Sequence, residues 1–197
     1  MKALTLLVAI FIALPNAANA QSPSALVGTF HDALLGVMKE ADALGFKGRY
    51  DRLKNPVQSS FDHYRMIRIA VGEHWAKAGE AEKQQLLAAF ERMSTSTYAQ
   101  QFSGFDGESF ETVSEKPGPR KTVLVATRIN IPNKSPARLT YVVLKSGESW
   151  KIVDVLLDDS VSQLAVRRSE YRKVLKSGGI AELITVLNKK SEELAKP

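Results

Sequence analysis

The sequence predicts an α+β protein, a curled antiparallel sheet of about four strands packed with helices. Three observations carry this. Apolar residues recur at helical spacing over residues 21–105, alternate at strand spacing over 109–157, and return to helical spacing to the end. Helices gathered before and after an uninterrupted run of strands give an antiparallel meander rather than βαβ units. Helices that pack on one face of a curled sheet close it into a cone, whose interior is either core or pocket.

The first helix starts at Ser22-Pro23, with serine as cap and proline at the first position. Its apolar face is Leu26, Phe30, Ala33, Leu34, Val37, Met38 and Ala41, and Gly45 is expected to stop it. Asn55-Pro56 predicts the start of a second helix, with Val57, Phe61, Tyr64, Ile67, Ala70, Val71 and Trp75 on one face. Gly79 separates a third, carrying Leu86, Leu87, Phe90, Met93, Thr97, Tyr98 and Phe102.

Phe110–Val113 predicts a first short strand, cut off by Pro117-Gly118-Pro119. Lys121–Ile131 alternates, with Val123, Val125, Thr127, Ile129 and Ile131 on one face. Pro132–Pro136 makes the loop. Arg138–Lys145 returns with Leu139, Tyr141 and Val143 on one face and Val142 and Leu144 on the other. Ser146-Gly147-Glu148 turns the chain into Trp150–Leu157. There Trp150, Ile152, Asp154 and Leu156 should share one face, and Lys151, Val153, Val155 and Leu157 the other. Helices over about 161–176 and 180–194, divided by Gly178-Gly179, complete the chain. Ser160 or Ser162 reads as the cap of the first of them.

A chain of 197 residues fits one domain. Met1-Lys2, the apolar run Leu4–Leu14, the break at Pro15-Asn16 and Ala18-Asn19-Ala20 read as a signal peptide over 1–20, leaving 21–197 as a single domain. The run is far shorter than the roughly 20 residues a membrane span needs. With no cysteine, a lipoprotein anchor, disulfides and thiol chemistry are excluded. The net charge of +6, or +5 once Lys2 leaves with the signal, is scattered without basic runs. That argues against nucleic acid and for weak attraction to anionic lipid surfaces.

Catalytic signatures are missing. No G-x-S-x-G, Walker loop, H-E-x-x-H or dinucleotide fingerprint occurs. His63 and His74 are eleven residues apart, too far along a helix to share a metal, and His31 is alone, so no metal or cofactor is expected. Asp154 stands out between Val153 and Val155. Facing inward it needs a partner, which Arg167 or Arg168 could supply. Otherwise it faces solvent, or it is a catalytic acid whose pKa desolvation raises. Apolar residues on both faces of the Tyr141 strand indicate either helices on both sides or an interior larger than side chains fill.

The ordered set Phe61-Asp62, Met66, Val71-Gly72, Trp75, Gln84 or Gln85, Phe90 and Tyr98, then Val125–Ile129, Tyr141, Trp150–Val155 and Arg168-Ser169, resembles the MlaC/toluene-tolerance family of periplasmic lipid-binding proteins. It covers roughly residues 25–190. One corner departs from the family pattern of acid-Gly-Val-Ser leading to Asn-Tyr-Arg-Ser. Asp158–Ser162, followed by Gln163–Ser169, is one residue longer and lacks the Asn-Tyr, and is more similar to the hopanoid-associated HpnM branch. The resemblance implies an NTF2-like cone with a deep apolar cavity, no catalysis, and no metal or cofactor. It implies a monomeric carrier of a hopanoid or a phospholipid between inner-membrane transporter and outer-membrane complexes. The expected lipid-lining residues are Phe61, Ile67, Val71, Trp75, Phe90, Tyr98, Val125, Tyr141, Val143, Trp150, Val153 and Val155. Asp154 with Arg168 is the expected ion pair closing the corner. The competing readings are a cone-fold enzyme with Asp154 as general base, and a ligand-free adaptor of a membrane complex.

Overall fold

The computed structural model describes residues 22–196. The signal peptide expected over 1–20 lies outside them. Ser22 caps helix α1 (Pro23–Lys39): its Oγ accepts from the Ala25 N–H at 3.1 Å. The chain then turns at Glu40 into α2 (Ala41–Ser60). Gly45 breaks α2 with φ 57°, a left-handed conformation that costs glycine nothing. The buried Arg49 guanidinium braces this break, donating to the Ala41 carbonyl at 3.1 Å and the Ala99 carbonyl at 2.8 Å.

The helix expected to begin at Asn55-Pro56 is therefore the end of α2, and Pro56 lies inside it. The bond proline forgoes would have ended on the carbonyl of Arg52, an exposed residue, where water replaces it. The real break comes at Phe61, which is extended. Asp62 then caps α3 (His63–Val71), accepting from the Arg65 N–H at 2.9 Å. The short α4 (His74–Lys77) and the long α5 (Glu80–Gln101) follow, the latter starting at Gly79 as the sequence predicts.

Five strands form one antiparallel sheet in the order β1-β2-β3-β4-β5: β1 (Ser109–Pro117), β2 (Val123–Asn130), β3 (Ala137–Ser146), β4 (Ser149–Leu157) and the two-residue β5 (Val161–Ser162). The α+β class holds. The sheet gains one strand over the expected four, because β5 pairs with the end of β4 before the chain enters α6 (Gln163–Leu194). Ser162 caps α6, and Gly179, with φ 66°, breaks it where the glycine pair predicts.

A bulge in β4 overturns the expected strand faces. Val142 pairs with Asp154 and Val143 with Ile152, so Val153 is the extra residue. Alternation is continuous in the sequence but shifts by one in space. Ile152 faces inward before the bulge; Val155 faces inward after it, opposite Tyr141. Asp154 pairs with Val142 on the opposite face. The surplus apolar side chains of β3 have a local use there, since Val142 pairs with Leu124 of β2 and each covers the other.

The helices cover the inner face. Val27, Phe30, Leu34, Val57, Ile67 and Leu86 pack with Val125, Tyr141, Val143 and Ile152 in one core. The extended residues between α2 and α3 are pinned to the sheet: Asp62 N–H donates to the Ile152 carbonyl at 2.9 Å, which holds Phe61 over β4. Among the described residues no helix is long and apolar enough to cross a membrane.

Candidate functional site

The inner face of the sheet is not filled everywhere. Between α5, the start of α6 and the β2–β4 strands lies a cavity of about 490 Å³. Strand register builds its sheet wall. Leu139 pairs with Leu157 and Tyr141 with Val155, and Ile129 and Ile131 extend the wall along β2. Phe61, Met66, Phe90, Tyr98, Phe102 and Met38 close the floor and sides from the helices. Ser94, Thr97 and Gln101 of α5, with Gln163 and Arg167 of α6, add polar groups to the helical wall. Gly104, Asp106 and Glu108 stand in the segment between α5 and β1.

Of the twelve residues expected to line such a space, Phe61, Phe90, Tyr98, Tyr141 and Val155 do. The other seven stand outside it. Ile67, Val71 and Trp75 are buried on the α3–α4 side, and Val125 and Val143 are fully buried beneath the helices. Trp150 packs on the core before the bulge, and Val153 is the bulge residue itself. Leu139, Ile129 and Ile131 were legible as sharing the strand faces of Tyr141 and Val125. Thr97 was legible as part of the third helix's apolar face, but Ser94 and Gln101 carried no such signal: a polar residue on a helix reads as solvated until its neighbours are known.

Two buried histidines back the cavity. His31 bonds the Tyr141 hydroxyl at 2.9 Å and stacks on Phe110 with centroids 4.3 Å apart. Burial lowers its pKa to about 4. His63 lies against Phe61 and Phe90, and its Nε2 is buried without a hydrogen-bond partner. Burial first, then the Arg167 charge, lowers its pKa to about 4 against the opposing pull of Asp62. Burial also pushes the Tyr98 and Tyr141 phenols up. Both histidines are neutral when folded, whereas the unfolded chain binds protons below about pH 6.5. Stability is therefore full above that pH and falls as the pH drops towards 4, by on the order of 3 kcal/mol for each histidine. Denaturant midpoints between about pH 7 and pH 4 should show this slope, and His63→Leu should flatten it.

Asp154 does not pair with Arg168. Its carboxylate accepts from the Leu164 N–H at 2.9 Å, the Val155 N–H at 2.8 Å and the Ser162 hydroxyl. Arg168 lies on another surface, beside Gly72, Glu73, His74 and Arg172. The physical reason is the bulge: it turns Asp154 to the sheet face that meets the start of α6, where backbone N–H groups are free. The general-base reading loses its geometry as well, since Asp154 is outside the cavity lining and both its oxygens are engaged. Beyond it, Asp158 and Asp159 take left-handed turn conformations, and Thr140 donates to Asp159 at 2.7 Å. Asp154→Ala should cost about 1–3 kcal/mol by leaving the Ser162 hydroxyl and Leu164 N–H without an acceptor. Arg168→Ala should stay within about 0.5 kcal/mol, and equal losses would restore the ion pair.

The sequence profile described as MlaC protein matches residues 29–189, from within α1 to the last turns of α6. The chain belongs to the MlaC family. The matched span contains every residue of the cavity lining. A structural neighbour, the phospholipid-binding protein of Ralstonia solanacearum solved in complex with a phospholipid, superposes with a TM-score of 0.76 at 24% identity. The alignment covers 91% of this MlaC-family chain and 100% of that one, so the two share the fold throughout.

Proposed function

We propose that this MlaC-family protein is a soluble periplasmic carrier that shuttles a membrane lipid between inner- and outer-membrane complexes. The cavity carries this reading. Its sheet wall is Ile129, Ile131, Leu139, Tyr141, Val155 and Leu157, a continuous apolar surface. A lipid tail leaves a bilayer for such a surface because each methylene kept from water is worth about 0.8 kcal/mol. At about 490 Å³ the space is roughly three times a 150 Å³ cavity that takes benzene, and falls within the range of small-molecule binding sites. The Ralstonia neighbour, crystallised with a phospholipid, supports the same class of ligand.

Within that class, a hopanoid is the ligand suggested by the lengthened corner Asp158–Ser162 and by the missing Asn-Tyr ahead of Arg168. The protein works as a monomer with no cofactor, and the reaction it supports is transfer, not bond breaking. Mass spectrometry of the organic extract of protein purified from a hopanoid-making host tests this. The expected result is co-purified hopanoid or phospholipid in a fixed ratio to protein. Recovery of neither would end the carrier reading.

A further inference from the structure

Among the described residues Arg167 is the only cation in the cavity lining. It stands in the second turn of α6, half-buried. Its guanidinium lies over the Phe90 ring at 5.7 Å, and one N–H approaches the Met93 sulfur at 3.1 Å. The Tyr171 phenol adjoins it one turn on. Among the described residues no carboxylate pairs with it. A guanidinium has five donors in a rigid fork, and a ring face and a thioether satisfy few of them. Holding that charge half out of water without a counter-ion is costly.

The neighbours share its character. Ser94 and Thr97 come from adjacent turns of α5, and Gln163 lies one turn before Arg167. Thr97 donates its hydroxyl proton to the Met93 carbonyl at 2.8 Å, leaving its oxygen to accept. The cavity is thus two-sided, with an apolar sheet wall and a polar, positively charged patch on the helical wall. Asp106 and Glu108 carry negative charge elsewhere in the lining, and Glu108 is already engaged by the Asp106 N–H at 2.7 Å. An anion inside the cavity is repelled there and drawn to α6.

We infer that Arg167 receives an anionic oxygen group, phosphate or carboxylate, of the lipid held in the cavity. The lipid enters with its tails on the sheet wall and its anion against α6. This deepens the carrier reading and rests on it, and within that reading it favours a lipid bearing a phosphate or carboxylate over a hopanoid built only of hydrocarbon and hydroxyl groups. The test uses three probes of equal chain length, hexadecyl phosphate, palmitic acid and hexadecanol, each displacing the neutral fluorophore N-phenylnaphthylamine from delipidated protein. The wild type should bind at least one anion about tenfold tighter than the alcohol, the scale of a charged hydrogen bond. A preference for phosphate alone assigns a phospholipid-type group, and one for palmitate alone a carboxylate. Arg167→Gln should erase the preference by weakening the anions far more than hexadecanol, while Arg167→Lys keeps part of it. Equal binding of all three by the wild type, or a uniform loss for all three in Arg167→Gln, overturns the assignment while hexadecanol binding still upholds the cavity. Displacement by none of the three removes the carrier reading and this one together.

Discussion

Val155→Trp is expected to abolish lipid loading and leave the fold standing. Val155 faces into the cavity on β4, opposite Tyr141 and two residues before Leu157, which also lines it. It is only half-buried by protein, so an indole placed there enters empty space instead of displacing neighbours. The variant should lose most of its co-purified lipid, read by mass spectrometry of an extract at matched protein concentration. Its denaturant midpoint, compared after delipidation, should stay near the wild type. Val143→Trp makes the opposite case. Val143 is fully buried and outside the cavity, so the added volume has nowhere to go and overpacking should cost about 1–3 kcal/mol or more. If Val155→Trp loads lipid as the wild type does, the ligand is not in this cavity.

The contrast between these two valines shows what was legible in the sequence. Both are apolar strand residues flanked by strand-forming neighbours, and periodicity places each on an apolar face without saying which face of the last strand looks inward. What separates them is their distance along the sheet from the point where the helices close on it. That distance depends on the Phe61–Ile152 bridge and the β4 bulge, which are non-local. The helix–strand–helix order, the cap at Ser22, a serine cap at Ser160 or Ser162 and the break at the Gly178-Gly179 pair follow from local rules and were readable, whereas the breaks at Glu40 and Phe61 and the strand β5 were not. Pro56 was misread because proline reads as a starter wherever a cap-like residue precedes it, and only the exposed Arg52 explains its tolerance inside α2. Asp154 was rightly marked as needing a partner. Its partners are a serine hydroxyl and backbone N–H groups, and backbone donors leave no trace in a residue list. Arg167 was noticed only as an alternative to Arg168. The two differ by one position on a helix, about 100° around the axis, which separates a cavity wall from a basic outer surface.

Phe30→Ala should destabilise the protein by about 3–5 kcal/mol. Phe30 is 1% exposed, and its ring meets Phe61 at 5.2 Å and Tyr98 at 5.1 Å, both edge-to-face. Removing it costs the buried ring and both favourable aromatic geometries. Phe61 and Tyr98 form part of the cavity wall, so Phe30 supports that wall from behind. The void left by alanine therefore opens towards the cavity, and the folded fraction of the variant should carry no less lipid than the wild type. Bound lipid stabilises only the folded state, so the deficit should narrow in lipid-saturated protein by RT ln(1 + [L]/Kd). Denaturant titrations with and without added lipid measure both effects. Val155→Trp and Phe30→Ala then move loading and stability independently: the first loses lipid at nearly constant stability, the second loses stability at nearly constant lipid. A protein whose cavity were an incidental packing defect would not separate them, because filling a defect would raise stability and loading would be unaffected by either change. Loss of lipid from the folded fraction of Phe30→Ala would mean that the aromatic wall must be held rigid for the ligand to bind at all.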